Sequence, residues 1–169
     1  MDAGLLLARL TLALLMAAHG SQKLFGWFGG YGLTGTAGFF EALGFRPGRL
    51  FAALAAGTEV AAGLMLALGF LGPIAAALIV SVMIVAAWSV HREHGVFAAS
   101  NGIEVPLLYG VEAAALVLTG PGVYSVDGAL GLLPLWTPAF SVALLTAGVL
   151  GGVVNLALRR PVAQAAVAA

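Results

Sequence analysis

The chain has 169 residues, of which 62% are hydrophobic and 8% charged, against roughly 25% charged in soluble domains, so a soluble globular protein is excluded. Seven Lys and Arg balance seven Asp and Glu with no basic or acidic run, which leaves no electrostatic footprint for DNA or RNA. The lack of cysteine excludes disulfides, thiolate metal sites, iron–sulfur ligation and covalently attached haem. What remains is an all-α, polytopic transmembrane helix bundle, and its 24 glycines suit helices whose backbones approach closely in lipid.

A membrane span needs about 20 predominantly apolar residues, and five runs meet that description: residues 4–23, 50–71, 73–90, 103–119 and 138–158. The first has neither a basic n-region nor a small-residue cleavage pattern and reads as a retained helix. The second and third form a tight hairpin broken at 69–73, with Pro73 suited to a first helical position. Gly120-Pro121-Gly122 ends the fourth, and Arg159-Arg160-Pro161 ends the fifth.

Two connections are long enough to carry structure. Phe39, Phe40 and Leu43 follow helical spacing behind Thr36 as an expected N-cap, predicting a short helix over 36–44. It reads as an interfacial helix with phenylalanines in the acyl region; the alternative is a lid or re-entrant element. Tyr124 and Trp136 in the 123–137 connection join Trp27, Tyr31 and Trp88 as candidates for an interfacial aromatic belt. The alanine-rich tail, 161–169, is expected to be mobile.

With five spans, Lys23, Arg46, Arg49, Arg92, Arg159 and Arg160 fall on one face and no basic loop residue on the other. Basic loops stay cytoplasmic, so the N-terminus is expected outside and the C-terminus in the cytoplasm.

Ionisable residues inside a span cost about 2.5–3.5 kcal/mol or more on insertion scales and face the bundle interior by default. Arg9, Glu59 and Glu112 qualify as an intramembrane charged cluster that can meet at similar depth. One cation cannot neutralise two carboxylates, so one glutamate would pair with Arg9 and the other would tend toward its protonated form. The bland counterpart is a structural pair that locks two helices, with the second glutamate bonded to backbone or to the Thr58 hydroxyl.

A second polar group gathers at the end holding Lys23. His19 and Lys23, with Glu59 and Glu104, are candidates to line a pocket for a lipid head-group or a quinone ring, which needs a donor to its carbonyl oxygen and a proton source. His91 could join that lining, whereas Arg92, Glu93 and His94 read as a solvated helix-end cluster, and the spacing from His91 to His94 is unsuited to two helical metal ligands at i and i+4. No metal site is expected.

Several of these segments together resemble the DoxX family of bacterial membrane proteins: Ala8-Arg9, the run His19-Gly-Ser-Gln-Lys23-Leu-Phe-Gly26, Phe39 to Phe45, Glu59 with Ala-Ala-Gly63 after it, and Gly120-Pro-Gly-Val-Tyr-Ser125-Val-Asp127. The resemblance extends over about 5–131 and implies a four-helix membrane domain over 1–131. Residues 132–160 then supply an additional C-terminal transmembrane helix. The polar positions matching the family pattern are Arg9, His19, Lys23, Glu59, Glu104 and Asp127.

The family name derives from a small subunit associated with a thiosulfate:quinone oxidoreductase and terminal quinol oxidase. The resemblance therefore implies a small accessory subunit of an oxidoreductase system in the bacterial plasma membrane, binding a quinone or lipid-like molecule and not acting as a stand-alone enzyme. A non-catalytic structural or assembly subunit is the alternative, and a small-solute or proton transporter a second one. Protein partners or a homo-oligomer are expected, with Gly148 and Gly152 forming a small-residue face on the last helix that suits an oligomer contact or, alternatively, packing within the same bundle.

Overall fold

A computed structural model describes residues 2–160. The described residues form seven α-helices with short 3-10 turns and no strand: α1 (Asp2–Phe25), α2 (Gly32–Ala42), α3 (Gly48–Leu68), α4 (Gly72–Ala86), α5 (Glu104–Thr119), α6 (Val126–Ala129) and α7 (Pro138–Ala157). The tail 161–169 lies outside the described residues.

Local chemistry sets most helix ends. Asp2 stands in the first turn of α1 and Lys23 in its last, each complementing the helix dipole. Gly69, at φ 65°, closes α3 in the left-handed conformation, with Gly69 N–H donating to Leu66 O and Phe70 N–H to Met65 O; this paired pattern satisfies carbonyls that the helix leaves free. Pro73 occupies the first turn of α4, as its missing N–H allows. Thr137 caps α7 by accepting from Phe140 N–H at 3.3 Å.

Among the described residues, four helices are long and apolar enough to cross a membrane: Asp2–Phe25, Gly48–Leu68, Gly72–His94 and Pro138–Ala157. The third extends beyond α4 through a π-turn, Ala87–His91, and a 3-10 turn, Arg92–His94. The expected fourth span is α5, whose 16 residues fall short of the roughly 20 that a span requires. It nevertheless runs antiparallel to α4: a Cβ on Gly110 would meet Met83, while Pro121 beyond its C-terminus abuts Gly72 at the start of α4.

α1 and α3 cross antiparallel through small residues. A Cβ on Gly63 would lie 2.8 Å from Ala13 O, and one on Gly20 would lie 2.7 Å from Ala56 O, so only glycine permits this approach. Leu12, Met16, Leu66, Ile79 and Val117 fill the centre of the bundle. Leu7, Leu14, Leu64, Leu107 and Leu150 remain exposed on its outside, a surface suited to acyl chains and not to water.

The structure departs from the sequence-based expectation at α2 and at α7. The loop helix begins at Gly32, not Thr36; Thr36 is buried inside it and donates through Oγ1 to Lys23 O at 3.3 Å. A mid-helix hydroxyl that docks α2 on the end of α1 replaces the expected cap. Gly148 and Gly152 do not form an outward face. A Cβ on Gly148 would overlap Ala77 O, and one on Gly152 would press on Ile84, so both seat α7 parallel to α4 within the same chain.

Candidate functional site

The bundle has two chemically different ends. Lys23 ends α1, Arg46 and Arg49 flank the start of α3, Arg92 follows the π-turn, and Arg159 and Arg160 follow α7. At this basic end Arg159 Nε donates to Leu43 O at 2.9 Å, and Arg160 N–H to Gly44 O at 2.8 Å. The end of α7 is thereby fastened to the connection between α2 and α3.

Inside this end lies a cavity of about 390 Å³, within the range of small-molecule sites. One side is aromatic: Phe40 stands 5.6 Å from Phe45, and Phe45 stands 5.4 Å from Phe51. The Arg159 guanidinium sits 5.7 Å from the Phe45 ring centroid and braces that wall from behind. The rest is mainly aliphatic, supplied by α1, α3 and α4.

The polar lining is small in number. His19 and Lys23 stand one turn apart on α1, so they share a face, and both line the cavity together with Glu59 of α3. Lys23 Nζ donates to Glu59 Oε1. Glu59 is 1% exposed, and its other oxygen, Oε2, is buried without a hydrogen-bond partner among the described residues. The Tyr109 ring of α5 meets His19 edge-on at 6.2 Å. The π-turn carries Ser89, Val90 and His91 to the same space, with His91 Nδ1 held 2.8 Å from Asn101 O.

Three of the four pocket residues expected from sequence, His19, Lys23 and Glu59, thus line one cavity. Glu104 does not: its carboxylate accepts from Ala98 N–H at 2.7 Å and organises the turn before α5. Val105, the next residue, lines the cavity in its place. Tyr109 and the phenylalanine wall were not singled out for this site, since a tyrosine or phenylalanine on an apolar helix carries no distinguishing signal.

The charged cluster of Arg9, Glu59 and Glu112 does not form. Arg9, 1% exposed, donates through Nη1 to Pro121 O and through Nη2 to Tyr124 O at 2.7 Å. Glu59 is taken by Lys23. Glu112 is half-buried, and among the described residues it has no ion-pair partner. Arg9 finds its partners in backbone carbonyls because the glycine–proline turn after α5 leaves them free of helical bonding.

Asp127 completes this second end. Fully buried, it accepts from Leu71 N–H at 2.8 Å, Gly72 N–H at 3.2 Å and Trp136 Nε1 at 3.0 Å, while its own N–H donates to Gly69 O at 3.0 Å. A carboxylate at the first N–H groups of α4 is favourably placed in the field of that helix. A Cβ on Gly69 would overlap the Arg9 guanidinium. Arg9 and Asp127 therefore flank one turn and fasten the starts of α1, α4 and α7 to the end of α5. Every polar group of this arrangement is spent on the fold except Arg9 Nε, which has no partner among the described residues.

A small, all-helical, multi-pass membrane protein with an amphiphilic cavity at its basic end is the class these features define. Residues 4–92 match the family model DoxX, and the chain belongs to the DoxX family. The matched stretch takes in Arg9, His19, Lys23 and Glu59, whereas Tyr109, Asp127 and α7 lie beyond it. No curated protein and no solved structure matches the chain.

Proposed function

We propose that this protein holds a quinone or similar lipid-like molecule in the cavity at its basic end, as a small accessory subunit of an oxidoreductase system in the bacterial plasma membrane. The observation that carries the reading is the cavity itself: about 390 Å³, largely apolar, with His19, Lys23 and Glu59 concentrated on one wall. Apolar enclosure with a few placed polar groups is what an amphiphile of that kind requires. Lys23 has three N–H donors and gives one to Glu59, leaving donors for a carbonyl oxygen. The chain brings no cysteine, so electron transfer would use the bound molecule and a partner's cofactor.

The proposed topology has five crossings, α5 being the short one, with the basic end in the cytoplasm. A 16-residue helix is about 24 Å long, close to the hydrocarbon thickness of about 30 Å once its capping turns are added. The four crossings of the 1–131 region, α1, α3, α4 and α5, then share one bundle with α7.

A second reading has its own observation. Arg9 and Asp127 are consumed by backbone contacts that tie helix ends together, as a purely structural or assembly subunit would need.

Photolabelling separates the two. An azido-quinone is expected to label peptides containing Met16 and Tyr109, with unlabelled decylubiquinone competing. Labelling spread over outward residues such as Leu64 and Leu150, without competition, would favour the structural reading.

A further inference from the structure

The Lys23–Glu59 pair leaves one buried carboxylate oxygen on the cavity wall without a donor, and this bears on the chemistry of the occupant. An ionised carboxylate offers about four lone-pair sites. Lys23 uses one of them, on Oε1, while Oε2 is buried and takes no hydrogen bond from any described residue. Leaving a buried charged acceptor unmet is costly, and proteins satisfy such groups with protein, water or ligand. The other polar side chains on the cavity wall do not supply the need: His19, Ser81 and Tyr109 make no hydrogen bond to Oε2, Ser89 Oγ donates to Val85 O, His91 Nδ1 faces Asn101 O, and Asn155 Nδ2 donates to Gly151 O at 2.9 Å. Thr58, adjacent to Glu59 in sequence and also on the cavity wall, makes no bond to it.

We infer that the occupant of this cavity carries a hydroxyl at its polar end and donates it to the Glu59 carboxylate, with its apolar body against Phe40, Phe45 and Phe51. The inference rests on the cavity being a ligand site, and it narrows the ligand class to neutral hydroxyl-bearing amphiphiles. Two sources share that chemistry: the hydroquinone form of a quinone and a glycerolipid with a free hydroxyl. A charged headgroup fits poorly, because Lys23 and Glu59 already neutralise each other.

The test uses matched pairs on the full chain in detergent: decylubiquinol against its dimethyl ether, and 1,2-dioctanoylglycerol against its 3-acetyl derivative. Within at least one pair the hydroxyl form is expected to bind about tenfold tighter or more, the value of one charge-assisted hydrogen bond; the pair that binds identifies the source. In Glu59→Gln the amide oxygen will turn to Lys23 and the amide N–H₂ to the cavity, so the ratio should fall to near one and oxidised decylubiquinone should gain. Equal binding of blocked and free forms to the wild-type chain overturns the inference and leaves the cavity reading intact. A preference that persists in folded Glu59→Gln overturns the assignment to Glu59. Binding of none of the four probes overturns both readings. The wild-type comparison needs no variant, so poor folding of Glu59→Gln does not remove the test.

Discussion

Lys23 and Glu59, 36 residues apart in the chain, form an ion pair between α1 and α3. The two members are unequal, the Glu59 side chain being 2% exposed and that of Lys23 30%. Lys23 therefore keeps part of its hydration, whereas Glu59 depends on the pair for its charge to be tolerated.

This asymmetry predicts the response to substitution. Lys23→Met should destabilise the bundle by about 1–3 kcal/mol, less than the roughly 3–5 kcal/mol for breaking a fully buried pair, because Lys23 is partly solvated. Adding Glu59→Leu should recover most of the loss, since the stranded carboxylate is then gone. Reversible unfolding in mixed detergent, arranged as a double-mutant cycle, measures both values; strictly additive effects would contradict the coupling.

The second pair of buried charges should behave differently. Arg9→Lys keeps the charge but cannot reach both Pro121 O and Tyr124 O with a planar fork, and Asp127→Asn weakens the bonds to the start of α4. Each is expected to cost about 2–4 kcal/mol, and the double variant less than the sum because both act on one turn. The folded fraction of each should retain ligand. Unfolding midpoints together with ligand content per folded chain check this; loss of ligand with full stability would place Arg9 in the site.

Much of this division was legible in the sequence, and what escaped has a common cause. His19, Lys23 and Glu59 could be grouped because polar residues on apolar helices are few. Arg9 could not be assigned a partner: its partners are backbone oxygens 112 and 115 residues away, and a carbonyl leaves no mark in a sequence. Side-chain charge balance suggested Glu59 or Glu112 instead. The early start of α2 escaped because Gly32 and Gly35 are weak helix formers, overridden by the docking of Thr36 on Lys23 O. Gly148 and Gly152 looked like an oligomer face because small-residue spacing is the same whether the neighbour is another chain or α4.

Glycine substitutions test that last assignment. Gly148→Val should displace α7 and destabilise by about 1–3 kcal/mol or more, as overpacking does, because the Cβ meets Ala77 O. Gly57→Ala should be neutral or stabilising by up to about 1 kcal/mol, since nothing lies within 4 Å of its added Cβ. Unfolding midpoints and light scattering read the pair; Gly148→Val that alters only the oligomeric mass would return the glycine face to an intermolecular role.

The proposed topology predicts which side each end occupies. A fluorescent-protein fusion after Arg160 should fluoresce, and an alkaline phosphatase fusion there should be inactive, because the basic end is cytoplasmic. A phosphatase fusion in the 123–137 connection should be active. The reverse pattern would contradict the orientation, and an inactive fusion at both places would contradict the crossing of α7.

The cavity between His19, Glu59 and the phenylalanine wall is proposed to hold one amphiphile. Native mass spectrometry of the gently purified chain, followed by extraction and identification of what is released, tests it most directly. One small amphiphile per chain is expected, depleted when Ala55→Trp fills the cavity. A chain that carries only a bulk-lipid mixture, identical in wild type and Ala55→Trp, would contradict it.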